Sequence, residues 1–231
     1  MPDAARWRAD LMRLDRSSWP GFLDAHSGLP GPRANLALAA AVADLADAEL
    51  TDALLGSDDE YRVLCGAVAL GALAAQPGVA ARLRELAADD RWRVREGVAM
   101  GLQRLGDTDV AALESLVLDW ADDPEPLVQR AAAAAICEPR LLGTAAAAAT
   151  AIEVCRRATA SLAARPPSMR RQSELRTLRQ GLGYCWSVAI AADPGPGLAA
   201  FRELDERDRD VAWIVTQNRR KARLARLVED T

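Results

Sequence analysis

The segment Glu60-Tyr61-Arg62-Val63-Leu64-Cys65-Gly66-Ala67 returns 31 residues later as Arg91-Trp92-Arg93-Val94-Arg95-Glu96-Gly97-Val98, with aromatic, arginine, valine and glycine in matching places. A third copy, Pro126-Leu127-Val128-Gln129-Arg130-Ala131-Ala132, sets Val128 34 residues beyond Val94, and a more degraded fourth opens at Asp208-Arg209-Asp210. Such a period is the length of a helix pair with its turns. Acidic pairs, Asp58-Asp59, Asp89-Asp90 and Asp122-Asp123, precede the first three copies. Aspartate caps the unpaired amides of a helix start and sits well at the positive end of its dipole. A single helix pair cannot cover its own apolar stripe, so successive pairs must stack, with Tyr61, Trp92 and Val128 expected in comparable places of consecutive layers.

Composition supports helices throughout. Half the residues are hydrophobic but only 4% are aromatic, and alanine runs such as Ala131 to Ala135 and Ala145 to Ala149 supply much of the apolar total. Alanine is the best helix former and lets helices approach closely. Alternating β-branched stretches and hairpin dipeptides are missing, so strands are not expected. The pattern predicts helices over 4–15, 18–26, 33–47, 49–56, 59–75, 78–88, 91–105, 108–121, 125–138, 142–164, 168–192, 195–206 and 209–228, separated by proline and glycine stops. No linker is long enough to divide the chain, so the expectation is an all-α solenoid of stacked antiparallel helix pairs in one domain, 1–231.

The net charge of −4 excludes a protein coated in positive charge, although it leaves room for a local basic surface. Cys65, Cys137, Cys155 and Cys185 form no C-x-x-C pair, which removes zinc ribbons and thioredoxin-like chemistry and suggests buried free thiols. The stretch Met1 to Arg16 is charged and has no apolar signal-peptide core, and no run reads as a membrane span. A cytoplasmic protein without metal, cofactor or membrane partner is expected.

The acidic start, then Val-Arg or Val-Gln-Arg, then small apolar residues resembles the second helix of HEAT repeats. A narrower resemblance spans roughly residues 85 to 200. Leu127-Val128-Gln129-Arg130-Ala131-Ala132, Gly183-Tyr184-Cys185-Trp186 and Asp193-Pro194 are similar to the HEAT-like DNA alkylation repair family, glycosylases that excise cationic alkylated purines. The resemblance implies an active-site arginine at Arg130, a tryptophan at Trp92 and a carboxylate at Glu96. Aromatics for the base follow at Tyr184 or Trp186. Glu96 stands where the family has aspartate, Trp92 is what remains of its paired tryptophans, and Arg93 and Arg95 flank the site.

The chemistry of those residue types fits such a site. Trp92 and Glu96, four apart, share one helical face. A tryptophan face attracts a cationic base, a carboxylate stabilises positive charge developing on the sugar, and arginine holds phosphate. The reading favoured for the same residues is that they are packing positions of the repeat, since Tyr61 matches Trp92 there. Outside them, Gln217 to Leu227 concentrates Arg219, Arg220 and Lys221, and Arg170, Arg171, Arg176 and Arg179 form a second basic stripe. Both suit either phosphate contact or a solvated helix face. His26 is the one histidine and lacks partners for a triad or metal site, and the loop Ser27 to Leu36 reads as a proline-shaped connector carrying Arg33 and Asn35. The function expected is a non-catalytic binding or scaffold module that meets a protein partner along a concave face. The alternative is a DNA-binding alkylpurine glycosylase, or a degenerate relative, with Glu96 as its catalytic carboxylate and DNA held by a local basic surface.

Overall fold

A computed structural model describes residues 2–229, and these are all-α: among them there is no strand. The chain divides into two compact units, residues 1–105 and 106–231. The first holds α1 (Pro2–Met12), α2 (Trp19–His26), α3 (Leu36–Leu45), α4 (Ala48–Leu55), α5 (Glu60–Gly71), α6 (Val79–Ala87) and α7 (Trp92–Thr108) as far as Leu105. The second holds α8 (Val110–Ala121), α9 (Pro126–Ile136), α10 (Ala145–Ala164), α11 (Ser173–Ala192), α12 (Pro194–Arg202), α13 (Arg209–Arg219) and α14 (Ala222–Glu229).

Caps set many of the starts. Asp59 accepts the Arg62 amide at 2.8 Å, Asp109 that of Ala112 at 2.9 Å, and Asp208 those of Asp210 and Val211 at 2.9 and 3.2 Å. Each such cap is worth about 1 kcal/mol. In the third repeat the cap falls to Glu125, which accepts the Leu127 amide, while Asp123 holds the Glu125 amide in the approach. Several boundaries differ from the periodic pattern. The helix expected over 59–75 stops at Gly71, the one over 168–192 starts at Ser173 after a 3₁₀ turn at Met169–Arg171, and 209–228 is two helices with a break at Arg220-Lys221.

In unit 1, Leu11, Trp19, Leu23, Leu38, Val42, Leu54, Tyr61, Leu64 and Val68 make a single cluster. Fully burying a side chain of the Leu or Val class stabilises by about 1.5–3 kcal/mol. The Tyr61 hydroxyl donates to the Asn35 carbonyl oxygen at 2.7 Å, and Asn35 itself caps α3 through Leu38 N. Burial pushes the Tyr61 phenol well above its ordinary value. In unit 2, α11 is the central helix, packed against α9, α10, α12, α13 and α14. The neighbouring α9 and α10 bury small residues, Ala131, Ala132 and Ala135 of the first and Ala151 and Ala158 of the second. Trp186 is fully buried, with its indole N–H given to the Thr159 hydroxyl at 3.0 Å and its ring 5.5 Å from that of Phe201.

Candidate functional site

The first turn of α7 divides two adjacent residues between water and core. Asp89 fixes that turn by accepting the Arg91 amide and, through both carboxylate oxygens, the Arg91 guanidinium. Trp92 then points outward and stays half exposed, whereas Arg93 turns inward and is only 6% exposed. The Arg93 guanidinium lies 3.7 Å from the centre of the Trp92 ring, covering one face of the indole. Its Nη1 reaches Glu96 Oε2 at 2.9 Å, its Nη2 reaches the Pro32 carbonyl oxygen at 2.8 Å, and its backbone N–H donates to Glu60 Oε1 at 3.2 Å. Removing one partner of a buried ion pair of this kind costs about 3–5 kcal/mol, so Arg93 is a structural cation.

Trp92 and Arg93 line a cavity of about 560 Å³. One wall is the loop Leu29-Pro30-Gly31-Pro32, entered through Gly28 at φ +76 and carrying a cis Leu29–Pro30 bond. The lining also brings Asp24 of α2 together with Asp59 and Glu60 at the start of α5. Asp24 is held by Arg62 at 2.6 and 3.0 Å. The result is a slot lined by prolines, an indole and three carboxylates, with its inward guanidinium already paired.

The other residues singled out from the sequence separate into distinct settings. Glu96 is paired with Arg93, and Arg95 donates to the carbonyl oxygens of Asp89 and Asp90 at 2.5 and 2.9 Å, closing the end of α6. These two and Trp92 belong to unit 1, whereas Arg130, on α9, belongs to unit 2 and lays its methylenes beside Gly181 of α11. Tyr184 is 44% exposed on α11, with Lys221 5.5 Å and Arg223 5.0 Å from its ring and its hydroxyl bonded to Arg223. Trp186 is fully buried and offers no face to a ligand. Arg219 is paired with Glu206 at 2.8 Å, and Arg220 is exposed at the end of α13. Tyr61 and Trp92, equivalent in the repeat, occupy unlike environments, the first in the core and the second in the slot.

Residues 47–137 match the family model for HEAT repeats. That segment is therefore HEAT-like, in agreement with its all-α structure and with the valine register: Val63, Val94 and Val128 are all fully buried. No curated protein and no solved structure matches the chain. Among the described residues no helix is long and apolar enough to cross a membrane, and no group of His, Cys, Asp and Glu is placed to hold a metal ion.

Two features of these sites lay outside the sequence reading. Asp24 and the prolines face Trp92 only because α2 and its following loop fold back onto the start of α7, and the one local signal was the Pro30-Gly31-Pro32 run. Cys137 and Cys155 come together with Sγ atoms 3.7 Å apart, and Cys185 adjoins them, all buried in unit 2.

Proposed function

We propose that this chain is a non-catalytic binding module whose slot in unit 1 receives a segment of a protein partner. The observation that carries the reading is half-exposed Trp92 sharing one cavity lining with Pro30, Pro32 and the carboxylates of Asp24, Asp59 and Glu60. A lysine or arginine side chain laid on that indole gains a cation–π contact of about 0.5–2 kcal/mol and an acidic rim for its charge. Backbone phosphates would meet like charge at the same place, which favours peptide over nucleic acid here. HEAT repeats commonly serve as protein–protein scaffolds, and repeat folds present extended binding surfaces. Glu96 serves this design as the counter-ion of Arg93, which in turn fixes the loop wall.

The test is calorimetric titration of lysine- and arginine-containing peptides into wild type, Trp92→Ala and Glu60→Lys. Binding to wild type with loss in both variants, whose helical circular dichroism is unchanged, supports the reading. Equal binding to wild type and Trp92→Ala overturns it. So does preferential binding of duplex DNA that falls with salt and is lost in Trp92→Ala, or release of an N-alkylated purine by wild type but not by Glu96→Gln.

A further inference from the structure

Unit 2 gathers an unusual concentration of guanidinium groups at one place. The 3₁₀ turn before α11 brings Arg170 and Arg171, the first turns of α11 bring Arg176 and Arg179, and the approach to α13 brings Arg207 and Arg209; together they line a cavity of about 530 Å³. Against these six arginines stand two aspartates, Asp208 and Asp210, an excess of four positive charges (6 − 2 = 4) in the lining.

The aspartates are already committed. Arg170, whose side chain is 12% exposed, donates to Asp208 at 2.5 Å and Asp210 at 3.5 Å and anchors itself on the carbonyl oxygens of Ala163 and Arg165. Arg179 donates to the other oxygen of Asp210 at 2.6 Å and stacks 4.7 Å from the Trp213 ring. Asp208 also caps α13. These pairs build a rigid floor. Arg207 pairs with Asp205 at the rim. Arg171, Arg176 and Arg209 line the same cavity without a carboxylate partner among the described residues. The buried Nε–H of Arg179 has no acceptor there either.

A site with this form selects a compact, doubly charged anion. Guanidinium forks match the oxygens of a phosphate two at a time, and three unengaged forks converging on one cavity suit a dianion rather than a lone carboxylate. A nucleic-acid track would need the charge to continue along the surface. Arg140, Arg156, Arg157 and Arg219 of the same unit are each tied to a carboxylate and spend their charge locally. We propose that the Arg171–Arg176–Arg209 cavity of unit 2 is a binding site for a phosphate monoester dianion, carried by a phosphorylated side chain or by a small molecule. The site is independent of the slot at Trp92.

The experiment titrates inorganic phosphate, O-phosphoserine, and a phosphoserine peptide with its unphosphorylated counterpart into wild type and into Arg176→Gln/Arg209→Gln at low ionic strength. These two arginines carry no fold contact named above, and circular dichroism and the unfolding midpoint verify that the variant is intact. Wild type is expected to bind the phosphorylated forms. The double variant is expected to bind them at least about tenfold more weakly, since each lost charge-assisted bond is worth that factor or more. O-Phosphoserine matching the peptide in affinity assigns a small-molecule ligand, and a peptide much tighter than the free amino acid assigns a phosphorylated protein. Equal affinity of phosphorylated and plain peptide, equal binding by wild type and variant, or duplex DNA outcompeting every phosphomonoester at all salt concentrations overturns the proposal.

Discussion

Gly71 and Gly101 meet backbone to backbone where α5 crosses α7: a Cβ placed on Gly101 lies 2.8 Å from Gly71 Cα and 2.8 Å from the Ala67 carbonyl oxygen. One turn earlier Gly97 comes as close to the Leu64 carbonyl oxygen. The two helices of successive repeats therefore touch along a seam that has no room for a methyl group. Gly101→Ala is expected to destabilise unit 1 by about 1–3 kcal/mol, even though alanine gains about 1 kcal/mol in helix propensity. Gly21→Ala is the control, because a Cβ there meets nothing within 4 Å and the change should be neutral or stabilising. Urea unfolding midpoints decide both, and a Gly101→Ala protein as stable as wild type would mean the helices are not this close.

Asn218 is fully buried and joins α13 to α11. Its Nδ2 donates to the carbonyl oxygens of Leu182 and Ile214 at 2.9 and 2.8 Å, and its Oδ1 accepts the Ser187 amide at 2.8 Å. Asn218→Ala leaves these groups without partners in an apolar setting and should cost about 2–3 kcal/mol, read as a lower denaturation midpoint. Arg220→Ala, two residues away and exposed, should change stability by less than about 0.5 kcal/mol.

All four cysteines are buried. Burial pushes the Cys65 thiol up, and Cys137 is raised by its hydrogen bond with Cys155 and by burial. The thiolate is the reactive species, so the folded protein should resist alkylation at neutral pH. A thiol titration is expected to find none reactive within minutes under native conditions and all four after denaturation. Prompt reaction of one thiol in the native protein would place that cysteine at a surface.

Glu153 is held at about 2 by the Arg156 guanidinium, assisted by Arg157, which also reaches Asp122. Its folded value lies below its unfolded one, so its contribution is complete above the ordinary carboxylate value near 4.5 and disappears as pH falls towards about 2. The group is partly exposed, so the effect is small, on the order of 1 kcal/mol or less. The stability gap between wild type and Glu153→Gln should be present at pH 6 and close by pH 2, measured by urea unfolding, and 1 M salt should shrink it at pH 6.

The valine register was legible because periodicity reports which side chains share a helical face, and Val63, Val94 and Val128 share the buried one. Capping was legible for the same local reason at Asp59 and Asp208. What covers that face is set elsewhere in the chain. Tyr61 is enclosed by residues of α1, α2 and α3, whereas Trp92, in matching register, faces a loop that leaves half of it open. The same limit hid the Cys137–Cys155 contact, which joins residues 18 apart through the packing of α10 on α9. The basic stretch from Gln217 to Leu227 read as one charged helix, yet it contains the buried Asn218 and breaks at Arg220-Lys221. A charge pattern records composition along a face and gives no sign of a single residue turned inward.

Because the Pro32 carbonyl hangs from the Arg93 guanidinium, the loop wall beside Trp92 is fastened to the repeat helix rather than standing on its own turn. Loss of the start of α7 would take that anchor from the wall. A segment lodged against the indole thus adds to the folded state by mass action, about 2.7 kcal/mol at a hundred times its dissociation constant. Heat resistance becomes an unlabelled gauge of occupancy, and screening for compounds or peptides that raise the melting temperature of wild type, but not of Trp92→Ala, would survey occupants without knowing any of them beforehand.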